Sequence, residues 1–168
     1  TLALDEIGIL KPEMQAKLLR ILETGEYQVV GESRTRLASV RVIAITNEDL
    51  AARVRDGAFR RDLYYRLNVF PIEVPPLRRR KEDIPELAAY FAARARAASH
   101  RAPARSGAIL SRAACEVLSA YDWPGNVREL RNVMERAIIL AGAGPIEAPV
   151  LHAILGTPQP PKGTEEED

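Results

Sequence analysis

LALDEIG, residues 2–8, is a short apolar run that ends abruptly in two carboxylates, Asp5 and Glu6. Runs of this kind form buried strands, and a sudden change to charge marks the strand end that opens on a crevice. Downstream, Pro12 suits a first helical turn and Met14, Leu18, Ile21 and Leu22 recur at helical spacing, so a helix follows and Gly25 ends it. SVRVIAITN, residues 39–47, then supplies a second β-rich apolar run. Strand, helix, strand with a long connection implies a right-handed parallel crossover, which brings both strand ends to one edge of the sheet. Asp5, Glu6 and Asn47 are expected to meet there. Between helix and second strand, residues 26–38 are polar, contain Gly31 and read as an irregular or hairpin excursion.

Working outward, EDLAARVRDGAFRRDLYYRLN (residues 48–68) reads as one or two helices separated near Gly57, and VFPIEV (residues 69–74) as a short strand. Pro75, Pro76 and the basic run Arg78–Lys81 mark a domain boundary. Beyond it the pattern is helical. Ile84, Leu87, Ala88, Phe91 and Ala95 trace one helix face, SHRAPARSG is a polar loop, and Ser111 opens a second helix through Tyr121. In YDWPGNVRELRNVMERA, residues 121–137, Trp123, Pro124 and Gly125 make a stiff turn, Asn126 is placed to cap a third helix, and Glu129 follows three residues on. Arg128 in the first turn opposes the helix dipole, so stability alone does not select it, although an ordinary pair with a carboxylate also fits. GTPQPPKGTEEED reads as linker or disorder. The implied organisation is an α/β part over residues 1–76, a helical part over 77–155 and a tail over 156–168.

Charge and cysteine content narrow the function classes. Twenty-four basic against 23 acidic residues give a net charge of +1, which excludes a strongly basic nucleic-acid footprint. One cysteine, Cys115, cannot form an internal disulfide, and no apolar run is long enough to span a bilayer. The chain reads as cytoplasmic, without a membrane partner. His100 and His152 are too isolated for a metal site. Arg94, Arg96, Arg101 and Arg105 fit a solvated helix and loop, or weak nucleic-acid contact.

LALDEIGILKPEMQAKLLRILETGEYQVVG, VRVIAITNEDL, FRRDLYYRLNVFPIEVPPLRRRKEDI and WPGNVRELRNVMERAIIL, in this order and spacing, closely resemble the central AAA+ ATPase of bacterial sigma-54-dependent transcription activators. The resemblance covers roughly residues 1–155. It implies a P-loop NTPase sheet followed by a helical lid, with ATP and Mg²⁺ as cofactors.

Residue by residue, Asp5 resembles the Walker B aspartate that holds Mg²⁺, and Glu6 the acid that polarises the attacking water. By themselves, two adjacent acids also fit a solvated strand end. Asn47, with Thr46, matches sensor I; alone it is a turn-forming residue after a strand. Arg60 and Arg66 match paired arginine fingers that reach a neighbouring subunit's γ-phosphate. The bland alternative is an i, i+4 pair of Asp62 with Arg66, and Arg61 competes with Arg60 for the finger role. Arg128 resembles sensor II, and residues 30–38 the pre-sensor I loop. Asp5, Glu6, Asn47 and Arg128 are expected to converge on one triphosphate.

Departures accompany the matches. Nothing fits G-x-x-x-x-G-K-[ST], and neither the GAFTGA loop nor a helix-turn-helix is present. The resemblance therefore implies a C-terminal piece of a longer activator's ATPase domain, unable alone to bind ATP in the ordinary way. It also implies an incomplete sheet: residues 2–5 pairing in parallel with 40–46, and residues 69–74 without a ladder partner. Expected partners are the sigma-54 RNA polymerase holoenzyme, further copies in a hexameric or heptameric ring, and enhancer DNA through a domain absent here. The alternative from another class is a non-catalytic, AAA+-derived interaction module.

Overall fold

The structure, a computed structural model, describes residues 1–29, 31, 32, 34–98 and 109–156. The loop read at SHRAPARSG, with His100, Arg101 and Arg105, lies outside these residues, as do the tail from residue 157 and positions 30 and 33 of the polar excursion. The chain divides into two compact units, Thr1–Glu73 and Val74–Asp168. No helix among the described residues is long and apolar enough to cross a membrane.

The first unit is α/β. Strand β1 (Leu2–Leu4) leads through a 3₁₀ turn to helix α1 (Pro12–Thr24), a hairpin β2 (Glu26–Gln28) and β3 (Thr35–Leu37), strand β4 (Val42–Ala44), and helices α2 (Leu50–Arg55) and α3 (Arg61–Leu67). β1 and β4 are parallel neighbours, with Leu2 opposite Val42 and Leu4 opposite Ala44. The ladder extends past both ends: the Leu2 N–H donates to Arg41 O, and the Ile45 N–H to Leu4 O. The expected parallel pairing is therefore formed. The excursion resolves into an antiparallel hairpin, Glu26 opposite Leu37 and Gln28 opposite Thr35. Gly25 closes α1 at φ 73°, and a Cβ there would meet the Ala38 carbonyl oxygen at 2.8 Å, so the turn into the hairpin excludes side chains.

Ile7, Leu18, Phe59 and Leu63 form the buried centre of this unit, flanked by Leu4, Leu10, Leu19 and Leu22. The stripe expected on α1 is rotated. Met14 is exposed, and the inward row is Gln15, Leu18, Leu19 and Leu22, spaced i, i+3, i+4, i+7. Residues 69–74, expected to be a short strand, form none. No ladder among the described residues reaches them, and Val69, Phe70, Ile72 and Val74 are 76–82% exposed. An isolated strand has nowhere to place its backbone hydrogen bonds, so the segment is merely extended.

The second unit is helical: α4 (Ile84–Ala98), α5 (Arg112–Ala120), α6 (Asn126–Ala141) and α7 (Ala148–Leu155). Ile84, Ala88 and Ala92 of α4 meet Leu130, Val133, Met134, Ala137 and Ile138 of α6 in one core, closed by Leu118, Trp123, Ile146 and Leu151. The small residues of α4 let α6 approach closely, and the large ones fill the layer. Ser111 caps α5 by accepting the Ala114 N–H at 3.2 Å, as its sequence position implies. Arg96, grouped by sequence with solvated cations, is 5% exposed and donates to the Gly144 carbonyl at 2.7 Å, so it is a structural clamp.

Candidate functional site

In the first unit, the parallel pairing of β1 with β4 sends two polar segments off the same end of the sheet: Asp5–Glu6 from β1, and Thr46–Asn47 from β4. The Ile7 N–H donates to Ile45 O at 3.1 Å, which keeps the segments side by side beyond the strands. Asp5, Glu6 and Asn47 are exposed and Thr46 is partly buried. Glu6 has φ 54° and ψ 40°, the left-handed region, which costs a non-glycine residue about 1–2 kcal/mol. The Asp5 Oδ1 atom accepts the Glu6 N–H at 2.9 Å and fixes this step. The left-handed turn takes Glu6 out of the two-residue alternation of β1, so both acids can serve one side of the sheet end.

Gly8 shows how closely the segments pack. A Cβ there would lie 2.9 Å from Thr46 Oγ1 and 3.2 Å from Glu48 Cβ. The Thr46 hydroxyl also accepts the Glu48 N–H at 3.1 Å, and Glu48 pairs with Arg53 of α2 at 2.6 Å. Gly8→Ala is expected to push the Thr46–Glu48 turn away from Glu6, at a cost of about 1–3 kcal/mol in urea denaturation. Unchanged stability would mean that this turn has slack.

The candidate fingers lie at α3. Arg60 immediately precedes the helix, with a two-bond pair to Asp62: Nε to Oδ1 at 3.0 Å and Nη2 to Oδ2 at 2.6 Å. The pairing holds the Asp62 carboxyl below the usual carboxylate range and raises the Arg60 guanidinium, with the hydrogen bond as the largest cause in each case. Both side chains are exposed, so water competes with the pair and it opens readily. Arg66 does not pair with Asp62. Its Nε and Nη2 donate to the Leu22 carbonyl of α1 at 3.3 and 3.0 Å. The i, i+4 pair weighed as the bland alternative is not formed, because Asp62, in the first turn of a seven-residue helix, pairs with Arg60 instead. Arg61 leans over the Tyr65 ring, 5.7 Å from its centroid. Sequence reasoning missed Gln15, 1% exposed, whose amide oxygen accepts the Arg60 N–H at 2.8 Å. The detectable signal was its spacing with Leu18, Leu19 and Leu22.

In the second unit, Arg128 is exposed in the first turn of α6 and makes no ion pair or side-chain hydrogen bond among the described residues. The turn before it is tightly specified. Trp123 and Asn126 both have positive φ, 52° and 50°, and Trp123 is fully buried, its Nε1 donating to Leu118 O at 2.8 Å. Glu129 reaches back to accept the Gly125 N–H at 2.8 Å, four residues earlier, satisfying a donor at the helix start, and accepts from the Tyr121 hydroxyl at 3.3 Å. Burial, followed by the Glu129 charge, pushes the Tyr121 hydroxyl above its ordinary range. Asn126 is not the cap expected of it. Its Oδ1 accepts the Leu77 N–H at 2.8 Å, tying the segment after the two prolines to the start of α6.

A hard divalent cation with bound phosphates needs few protein oxygens, often one carboxylate, with phosphates and water completing the shell. The exposed acids at the end of β1 fit that requirement: only Oδ1 of Asp5 is used internally, and no cluster of three or more His, Cys, Asp or Glu exists among the described residues to form an all-protein cage.

Comparison with known proteins gives concordant matches for both units. The Sigma-54 interaction domain model matches residues 1–73, and the AAA+ ATPase lid domain model matches residues 78–168. The phenol regulator MopR of Acinetobacter guillouiae is 52% identical over 140 residues, which is 83% of this chain and 24% of MopR. The transcriptional regulatory protein ZraR of Klebsiella oxytoca is 49% identical over 159 residues, 94% of this chain and 35% of ZraR. The crystal structure of NtrX from Brucella abortus in complex with ATP superposes with a TM-score of 0.81 at 35% identity, covering 98% of this chain and 38% of NtrX. The chain thus spans 24–38% of the length of these relatives.

Proposed function

Because the chain belongs to the AAA+ ATPases of the sigma-54 interaction family, we propose that the protein carrying it is a sigma-54-dependent transcriptional activator. In this reading a hexameric or heptameric ring hydrolyses ATP and uses the energy to remodel the closed complex of sigma-54 RNA polymerase. Enhancer DNA is bound through another domain, in the cytoplasm. The names of MopR and ZraR as regulators, and the ATP complex of NtrX, support it.

One observation carries the assignment of roles: Asp5–Glu6 and Thr46–Asn47 leave adjacent parallel strands at the same end, the place where open α/β sheets bind ligands. ATP supplies the transferable phosphoryl group, and Mg²⁺ neutralises phosphate charge. Asp5 would hold the cation through an oxygen not engaged by Glu6. Glu6 would accept hydrogen-bonded water and polarise it. Asn47, backed by Thr46, would orient that water or hold Glu6 back until nucleotide is present. Arg60 and Arg66 would come from the neighbouring subunit and stabilise charge developing on the phosphoryl oxygens, as a bidentate guanidinium does best. Arg128 would report nucleotide state to the helical unit.

Glu6→Ala in the complete protein tests this most simply. Turnover is expected to fall about 10²–10⁴-fold, the usual worth of a positioned general base, with nucleotide affinity retained. Unchanged turnover would remove Glu6 from the chemistry.

A further inference from the structure

Gln15 is buried in the first unit, on the face of α1 that also carries Leu18, Leu19 and Leu22. An apolar residue would suit that row, so the amide calls for an explanation. Both of its N–H donors and one lone pair of its oxygen are used. The amide nitrogen donates to Leu10 O at 2.8 Å and to Ala58 O at 3.1 Å, and the amide oxygen accepts the Arg60 N–H at 2.8 Å. Two carbonyls facing the nitrogen and one N–H facing the oxygen define the amide's orientation. The last two bonds grip the backbone on either side of Phe59, itself 3% exposed, across 43 and 45 residues of sequence.

Arg60 occupies the N-cap position of α3 in extended conformation, φ −69° and ψ 132°, with no side-chain cap. Its backbone position therefore depends on the Phe59 anchor and on Gln15, while its guanidinium is free to leave Asp62. Helix α1, which carries Gln15, also holds the second arginine, Arg66, through the Leu22 carbonyl. We propose that Gln15 is a positioning residue for Arg60: it fixes the backbone from which the guanidinium reaches the neighbouring subunit's phosphate. This rests on the finger reading of Arg60. Its consequence is that α1, which begins six residues after Glu6, sets the register of the groups a subunit lends to its neighbour.

Mixed assemblies of the complete protein separate this role from a merely structural one. In the shared-site reading, Glu6→Ala subunits still lend fingers and Arg60→Ala subunits still lend the acidic pair, so the mixture recovers turnover that neither has alone. Gln15→Met, which keeps side-chain length and helix propensity, is then added to one partner at a time. In the finger-lending Glu6→Ala subunit it is expected to reduce the recovered kcat about 10²-fold, the scale of a small misplacement of a catalytic group, with little change in KM. In the Arg60→Ala subunit it is expected to leave the recovery unchanged. Equal losses in both mixtures, or no loss in either, would overturn the positioning role. Failure of the parent mixture to recover at all would instead strike the finger reading, and the inference with it. If Gln15→Met does not yield soluble protein, Gln15→Glu replaces it. That variant removes both N–H donors to the two carbonyls at nearly unchanged size, and the same asymmetry between mixtures is expected.

Discussion

Alanine at Arg60 or at Arg66 is expected to lower ATP turnover of the assembled protein about 10³–10⁵-fold, the worth of an arginine finger, while nucleotide affinity stays within a few fold. The structure explains why stability should be nearly untouched. Arg60 meets only Asp62 through its side chain, and both are exposed; Arg66 meets a single carbonyl, Leu22 O, at the surface of α1. Exposed interactions of this kind are screened by water and contribute little to stability. Activity and stability should therefore separate cleanly. Steady-state phosphate release, nucleotide binding and thermal melting on the same preparations measure all three quantities. Arg61→Ala is the internal control: its ring contact with Tyr65 is a surface interaction worth about 0.5–1 kcal/mol, and turnover should persist. Normal turnover in both the Arg60 and Arg66 variants would end the finger assignment. Loss in the Arg61 variant alone would move it by one residue.

Trp123→Ala is expected to have the largest effect on stability, about 3–5 kcal/mol, the range for deleting a buried large aromatic side chain. Three losses coincide there. The indole is fully buried, its ring lies edge-on to Tyr121 with centroids 5.0 Å apart, and its N–H satisfies Leu118 O at the end of α5. Trp123→Phe keeps most of the apolar contact and removes only the donor, so it should cost about 1–3 kcal/mol, the penalty for an orphaned carbonyl. Urea unfolding of the two variants orders them. Equal costs would show that the hydrogen bond, not the ring's volume, dominates. With Arg128 in the role proposed for it, the weakened turn is also expected to raise KM for ATP in the complete protein.

Much of the fold could be read from residue patterns. The apolar runs at residues 2–4 and 42–44, with an amphipathic helix between them, required a parallel pair, and the pair formed with the acidic and amide residues at one end. The helical unit was legible because Leu130, Met134, Ala137 and Ile138 repeat at helical spacing, and all are buried. What periodicity missed was polar. Gln15 was invisible to a count of apolar positions although it occupies the most inward place on α1. Asn126 has the composition of a cap, but its positive φ and its bond to Leu77, 49 residues earlier, could not be deduced from neighbours in sequence. Asp62 and Arg66 have pairing spacing, yet the carboxylate found Arg60. VFPIEV has strand composition, but the ladder partner whose absence was expected is indeed missing among the described residues, and composition alone does not make a strand.

In the proposed mechanism, the phosphate site at the end of β1 and β4 is completed by an arginine from another copy. The most direct measurement is a structure of the assembled protein with Mg²⁺, ADP and a planar phosphoryl mimic. Asp5 is expected at the cation, Glu6 facing the mimic, and the Arg60 guanidinium of the adjacent copy released from Asp62 and within hydrogen-bonding distance of the mimic's oxygens. An assembly in which every Arg60 remains on its own Asp62, and only one copy's residues touch the mimic, would contradict it.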